Sequence, residues 1–267
     1  MTHSNHGFTL IELSIVLVII GLIVGGVLVG RDLIVAAQIR ATVTQIEQIK
    51  TATTTFRLKY DSLPGDLTAT KAAEFGFYNT DQGSTAVNDG FIDGVPTNNE
   101  WGGFWQNLRE AKLMNCICDA TDYTLSAHND LSVETWITKL GQSAFLVYGG
   151  VLMSNNTTVS GGTQALDKNY IDIWSYDITT ASDPLSPAGA FQMDTKIDDG
   201  LPLSGIATAL TLAGDNWGAP YYPGHLIPTQ GAAGKSSAVC ISTDSTPNSY
   251  NVQNNSKLCT LHIQAGF

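Results

Sequence analysis

From Phe8 to Val29 the chain is apolar for 22 residues, interrupted only by Thr9, Glu12, Ser14 and three glycines. A helix of that length is about 33 Å long, enough to cross a bilayer. Beyond Gly30 the pattern changes. Val35, Ile39, Val43, Ile46, Ile49, Ala52 and Phe56 recur every three or four positions, as one face of an amphipathic helix does, and Arg40, Glu47, Lys50 and Arg57 are left for the other side. No proline occurs in this stretch before Pro64. The pattern therefore predicts one helix of roughly 50 residues, about 75 Å, from Phe8 to about Tyr60. Gly21, Gly25, Gly26 and Gly30 are weak helix positions, at about 1 kcal/mol each, and suit close approach of neighbouring helices or local stretching.

The rest of the chain shows shorter, punctuated elements. Leu63-Pro64-Gly65-Asp66 stops the helix, with Asp66 and Thr68 offering caps or turns. A short amphipathic helix is expected from about Gly103 to Met114. Another is expected before Gly200, with Ser186 as its cap and Pro187 in its first turn. Four late, short runs read as strands: AFLVYGGVLM, YIDIWSYDI, SAVCIS and CTLHIQAGF. The natural arrangement is an α+β fold, with the amphipathic half of the long helix packed on a small antiparallel meander. Long loops are expected between Asp61 and Ser143 and between Thr179 and Pro228.

Composition narrows the function classes. Charged residues make up 14% of the 267, the apolar fraction is 43%, and the net charge of −11 is scattered without blocks. This describes an ordered, loop-rich protein with no basic stripe for nucleic acid. The four cysteines, Cys116, Cys118, Cys240 and Cys259, follow a membrane or export segment, which favours disulfides. Cys240 and Cys259 end two strand-like runs joined by a polar loop; pairing them would contribute roughly 3 kcal/mol. Cys116 and Cys118 are open to three readings: a pair, two thiols, or metal ligands together with His128.

The one acid inside the apolar run, Glu12, calls for a partner, because a charge near hydrocarbon costs a few kcal/mol. An ordinary secretory signal cleaved after Val35-Ala36-Ala37 is disfavoured by the length of the run, a leader without Lys or Arg, and this acid. Gly7-Phe8-Thr9-Leu10-Ile11-Glu12, followed by Leu13-Ser14-Ile15-Val16, resembles the signature of type IV pilins and type II secretion pseudopilins. The resemblance implies a pilin-like fold. It also implies cleavage between Gly7 and Phe8 by prepilin peptidase and methylation of the new amine on Phe8. That amine, four residues before the acid, is then the partner of Glu12, within one subunit or between neighbours in a filament. His6 stands where the family has Lys or Arg, so the cytoplasmic placement of the amino terminus rests on the resemblance.

The implied organisation is a leader at 1–7, a transmembrane and filament-core half-helix at 8–30, an amphipathic half-helix at 31–60 and a periplasmic or extracellular α+β domain at 61–267. The implied partners are other copies or related pilins in a helical filament, the inner-membrane platform and assembly ATPase, and the inner membrane itself. Similarity to a subgroup of prepilin-like proteins extends to LPGD, to an acidic glycine loop ending in Ile92-Asp93-Gly94, to Phe104-Trp105-Gln106-Asn107-Leu108 and to Asp194-Thr195-Lys196-Ile197-Asp198-Asp199-Gly200. The size of the body leans towards a minor subunit.

Other chemistry is thin. Against a calcium loop, Asp89, Asp93 and Glu100 fall at ligand positions, but Phe91 occupies a third that cannot ligate. A cation held by Asn88, Asp89, Asp93 and Glu100 in another geometry competes with a turn held by side-chain to backbone hydrogen bonds, which is preferred. Secretion pseudopilins do use calcium, and Asp198 with Asp199 is a weaker candidate. No other cofactor is expected. His128, His225 and His262 stand near no catalytic signature, so a membrane-tethered periplasmic enzyme is the remote alternative. A tip adhesin is the nearer one and would use Trp101, Trp105, Trp174, Trp217, Tyr221 and Tyr222, although aromatic residues more often pack in cores.

Overall fold

The computed structural model describes residues 9–78, 88–92, 100–116, 118, 135–141, 143–149, 168–175, 184–210, 240–242, 249–254 and 259–267. Its dominant element is α1, Leu10–Tyr60, an unbroken helix of 51 residues. The helix starts two residues later than the apolar run because Thr9 takes an extended conformation and caps it. It ends at Asp61, whose N–H still donates to the carbonyl of Arg57 and whose left-handed backbone (φ 53°) turns the chain out of the helix. The Lys71 ammonium donates to the Asp61 carbonyl and helps close this end.

The upper half of α1 buries Ile39, Thr42, Gln45, Ile46, Ile49, Ala52, Thr53, Phe56 and Tyr60. Two expected members of the face differ. Val35 is 47% exposed and lies below the head, and Val43 is half-buried at the edge of the core. Polar residues complete the face by finding partners. The Gln45 amide donates to the Ile137 carbonyl (3.0 Å) and accepts from the Lys139 N–H (2.9 Å), and the Thr42 hydroxyl returns to the Gln38 carbonyl. A buried amide satisfied at both ends is compatible with a core, and it ties residues 137–139 to the helix.

Three short helices follow: α2 (Ala69–Phe75), α3 (Glu100–Glu110) and α4 (Pro187–Ile197). Thr68 caps α2 and Ser186 caps α4, each hydroxyl accepting a backbone N–H one turn in. The main sheet has strands β1 (Ser143–Tyr148), β2 (Tyr170–Ser175) and β3 (Ala207–Leu210), and a small ribbon joins β4 (Ile241–Ser242) to β5 (Ser249–Tyr250). The last strand, β6 (Thr260–Gln264), completes the main sheet. The order is β1-β2-β6-β3, with every pair antiparallel. It is therefore not a simple meander, because β6 inserts between β2 and β3. A central strand is paired on both edges and covered on both faces, which suits Thr260 to Ile263, all buried.

The pairing puts Phe145, Val147, Ile171, Ile173, Leu261, Ile263, Ala207 and Ala209 on one face. These residues join Ile46, Ile49, Phe56, Phe104 and Trp105 in one core. The opposite face carries a polar cluster: Tyr148 donates to Asp172 (2.6 Å), Asp172 meets His262 Nδ1 (2.7 Å), and Tyr170 stacks on His262 with ring centroids 3.8 Å apart. Burial, with the Asp172 charge beside it, holds the Tyr148 phenol well above its ordinary pKa. The architecture is thus α+β, a long helix packed with a small antiparallel sheet.

Candidate functional site

Of the three residues central to the amino-terminal signature, Gly7 and Phe8 lie outside the described residues and Glu12 lies inside. Glu12 is the third residue of α1, and its partner in the uncut chain is Thr9. The Glu12 carboxylate accepts from the Thr9 N–H and the Thr9 hydroxyl, both at 2.8 Å, while the Thr9 hydroxyl accepts from the Glu12 N–H at 3.3 Å. This reciprocal capping box satisfies two backbone donors that a helix start leaves orphaned. Thr9-Leu10-Ile11-Glu12 is itself the T-x-x-E pattern of such a box, a signal that attention to the cleavage site passes over. Both carboxylate contacts end on Oε2, so among the described residues Oε1 remains for a second donor.

Above this cap the lower half of α1 has no cover. Leu10, Ile11, Leu13, Ile15 to Ile20, Leu22 to Val24, Val27 to Val29 and Leu33 to Val35 are all exposed, and no residue of the most apolar window is buried. Gly21, Gly25, Gly26 and Gly30 each have open space where a Cβ would stand, so nothing among the described residues requires them to be glycine. Among the described residues α1 is the one helix long and apolar enough to cross a membrane.

The acidic glycine loop is held by the chain itself. The Asp66 carboxylate accepts from the backbone N–H groups of Asn88, Asp89 (3.3 Å) and Gly90 (2.9 Å), a concave run of amides that binds an anion. Asp89 accepts from the Phe91 N–H at 2.9 Å. Asn169 clamps the far side, accepting from the Ile92 N–H and donating to the carbonyls of Gly90 and Phe267. Asp93 lies outside the described residues, and Glu100 is buried at the start of α3. Burial pushes the Asp66 carboxyl up to about 7, against the pull of the amides of Gly90 and Asn88. Asp66 is not a helix cap but an anchor reaching 22 residues ahead. The signal for it is an acid after Pro-Gly together with Asn88 and Gly90, two residue types that tolerate the positive φ found there.

Gly65 shows why this corner is built as it is. Its φ is 87°, its N–H donates to the Asn107 side chain at 2.8 Å, and a Cβ there would lie 2.3 Å from the Glu100 carbonyl oxygen. Only glycine lets the chain pass so close to the start of α3.

Among the described residues one group of three acids could gather around a cation: Asp194, Asp198 and Asp199, with ligand atoms within 4.8 Å of one another. Each already accepts hydrogen bonds. Asp194 takes the Tyr250 hydroxyl (2.7 Å), Asp198 the N–H groups of Ile206 and Ala207, and Asp199 the Leu201 N–H and the Ser204 hydroxyl (2.8 Å each). Burial raises Asp194 to about 6, against the Tyr250 bond, and burial likewise drives the Tyr250 phenol above its ordinary range.

The cysteines form two bridges, Cys240–Cys259 and Cys116–Cys118. His128 and His225 lie outside the described residues, and His262 is committed to Asp172. Of the aromatic candidates for a binding surface, Trp105 is fully buried in the core. The side chains of Trp101 and Trp174 and the whole of Trp217, Tyr221 and Tyr222 lie outside the described residues.

Residues 2–28 match the family model of the prokaryotic N-terminal methylation motif. No curated protein and no solved structure matches the chain. The match spans the capping box and most of the exposed apolar run, and this signal with its apolar helix fits a single-pass protein anchored in the inner membrane. The chain carries a type IV prepilin-like signal at its amino terminus.

Proposed function

We propose that the chain is a structural, minor subunit of a type IV pilus or type II secretion filament. It is cut between Gly7 and Phe8, methylated on Phe8 and assembled through α1. The observation that supports this reading best is the uncovered lower half of α1, whose side chains between Ile15 and Val29 are apolar and exposed on every side, the glycines apart. So large a continuous apolar surface marks a site of membrane or protein interaction. Lipid covers it before assembly, and the helices of neighbouring copies or related pilins cover it afterwards.

Glu12 sets the register. Thr9 already holds Oε2, and cleavage creates an amine at Phe8 for which Oε1 remains, in the same subunit or the next. A subunit that leaves this carboxylate unpaired away from water is penalised by several kcal/mol. In this reading residues 1–7 are the removed leader, 8–30 the membrane and filament-core segment, 31–60 the amphipathic stem of the head and 61–267 the periplasmic or surface domain. Prepilin peptidase, the platform protein and the assembly ATPase are its partners, and it performs no catalysis of its own.

Intact-mass analysis of the native protein tests the reading. The expected product lacks Met1 to Gly7 and carries one methyl on Phe8; an uncut chain, or one starting at Gln38, would overturn it. Glu12→Val should remain membrane-bound while its recovery in sheared filaments falls at least tenfold, and normal recovery would remove the registration role.

A further inference from the structure

The two disulfides stand in unlike settings. Cys240 and Cys259 are both fully buried, are separated by 19 residues and tie the start of β4 to the start of β6. Cys116 and Cys118 are separated by two, just beyond the end of α3, with Cys118 fully buried and Cys116 only partly so. A cross-link stabilises mainly by restricting the unfolded chain, and that effect grows with the logarithm of the loop it closes. The longer bridge has a loop to constrain. The short one does not, since its two Cα atoms, 5.2 Å apart, are neighbours in any conformation of the chain.

A second observation concerns access. A groove of about 600 Å³ runs between α1 and the segment after α3, lined by Gln48 and Thr51 on one side and by Leu113, Met114, Asn115 and Trp136 on the other. Its lining includes Asn115, the residue before Cys116, and its volume falls in the range that holds a small ligand. Cys116 thus follows a groove-lining residue in the chain and is only partly buried, whereas Cys118 is fully buried and shielded from attack.

We infer that Cys116–Cys118 is a thiol–disulfide exchange site for a small thiol the size of a tripeptide, with Cys116 the sulfur attacked. The thiolate of the incoming molecule forms a bond to Cys116 Sγ and the Cys116–Cys118 bond breaks. Cys118 leaves as a thiolate and takes up a proton equivalent to the one the incoming thiol lost. A second molecule of the thiol then attacks the sulfur of the first, forming the disulfide between the two, and Cys116 leaves as a thiolate and is protonated. Two thiols are oxidised to one disulfide, the pair is reduced to two thiols, and two electrons are transferred with no other reactant. Bridges that are exposed and constrain little are the ones that exchange readily, whereas buried structural bridges resist. The inference does not depend on the filament reading.

The test uses the full chain in detergent, equilibrated in glutathione buffers of stepped redox ratio, acid-quenched, alkylated differentially and digested for mass spectrometry. Cys116 and Cys118 should appear as thiols while Cys240–Cys259 is still oxidised, with equilibrium constants at least tenfold apart, about 30 mV. Glutathione should be found on Cys116 in Cys118→Ser. Coincident reduction of the two bridges, or earlier reduction of Cys240–Cys259, would overturn the inference, as would glutathione on Cys118 rather than Cys116 in the wild-type chain. The wild-type titration stands whether or not the variant folds.

Discussion

The two halves of α1 share one backbone and differ in everything around it. At Leu22 the side chain is 72% exposed, and at Ile46 it is fully buried, yet one unbroken helix joins them. Both halves are rich in apolar residues, so the number of such residues does not explain the contrast. Their arrangement does. Below Val35 apolar side chains point in every direction, and a head on one side cannot cover them all. Above it they form one stripe, and the outer face is filled by residues such as Thr44, Thr51, Thr54 and Thr55, whose hydroxyls donate to carbonyls four residues back. One half is thus made for a medium outside the chain, the other for a core inside it.

The sharpest way to break this comparison is to cut equivalent holes in the two halves. Phe56 is fully buried, with ring centroids 4.6 Å from Tyr60 and 5.4 Å from Phe77. Phe56→Ala should lower the unfolding free energy of the head by about 3–5 kcal/mol, read from near-ultraviolet circular dichroism in denaturant with the protein in detergent. Val18→Ala should change the same quantity by less than about 0.5 kcal/mol, because Val18 touches nothing the head must fold. Equal losses would mean that the lower half belongs to the head after all.

The legibility of the molecule follows the same division. The long helix was readable because its signals are local: no breaker before Pro64, a repeat of three or four above Gly30, and uniform apolarity below it. The amino-terminal cap of α4 was readable for that reason too, since Ser186 and Pro187 act on their own neighbours. The sheet order was not, because β6 pairs with β2 and β3 across long separations and no residue in a four- or five-residue strand encodes its partner. β3, β5 and α2 are too short to announce themselves. The Asp66 anchor escaped because its three hydrogen bonds reach forward to residues 88–90. In the candidate site the signature pointed to Glu12 but hid the nearer partner, Thr9.

A middle-sized effect tests the upper half through its buried acids. Burial raises Asp66 to about 7 and Asp194 to about 6 from ordinary values near 3.8. The folded chain therefore holds protons on these groups more tightly than the unfolded chain does. Stability should fall as pH rises from about 4 towards 7, and this contribution should level off above 7. The melting midpoint of the head should thus be higher at pH 5 than at pH 8. Asp66→Asn, which keeps an acceptor for the loop amides without a charge to bury, should flatten the upper part of that slope. An unchanged slope would remove Asp66 as its source.

The smallest effect is expected at Thr9, and its value lies in where it stops. Thr9→Ala removes the hydroxyl that caps α1 and one of the two donors on Glu12, a loss of about 1 kcal/mol for the first turn. Thr9→Ser keeps both bonds and should behave like the original chain. Hydrogen exchange in detergent should speed at the first amides of α1 in the alanine variant, most at Glu12, whose N–H the hydroxyl accepts. The first fully buried residue of the upper half, Ile39, lies about 45 Å further along the helix. Because the apolar side chains from Leu10 to Val35 are exposed, fraying at Thr9 has, among the described residues, no continuous packed path by which to reach the head. The head's melting midpoint should stay where it was. A shift there would show that the exposed half carries strain into the core, and the two halves of α1 would have to be treated as one cooperative unit.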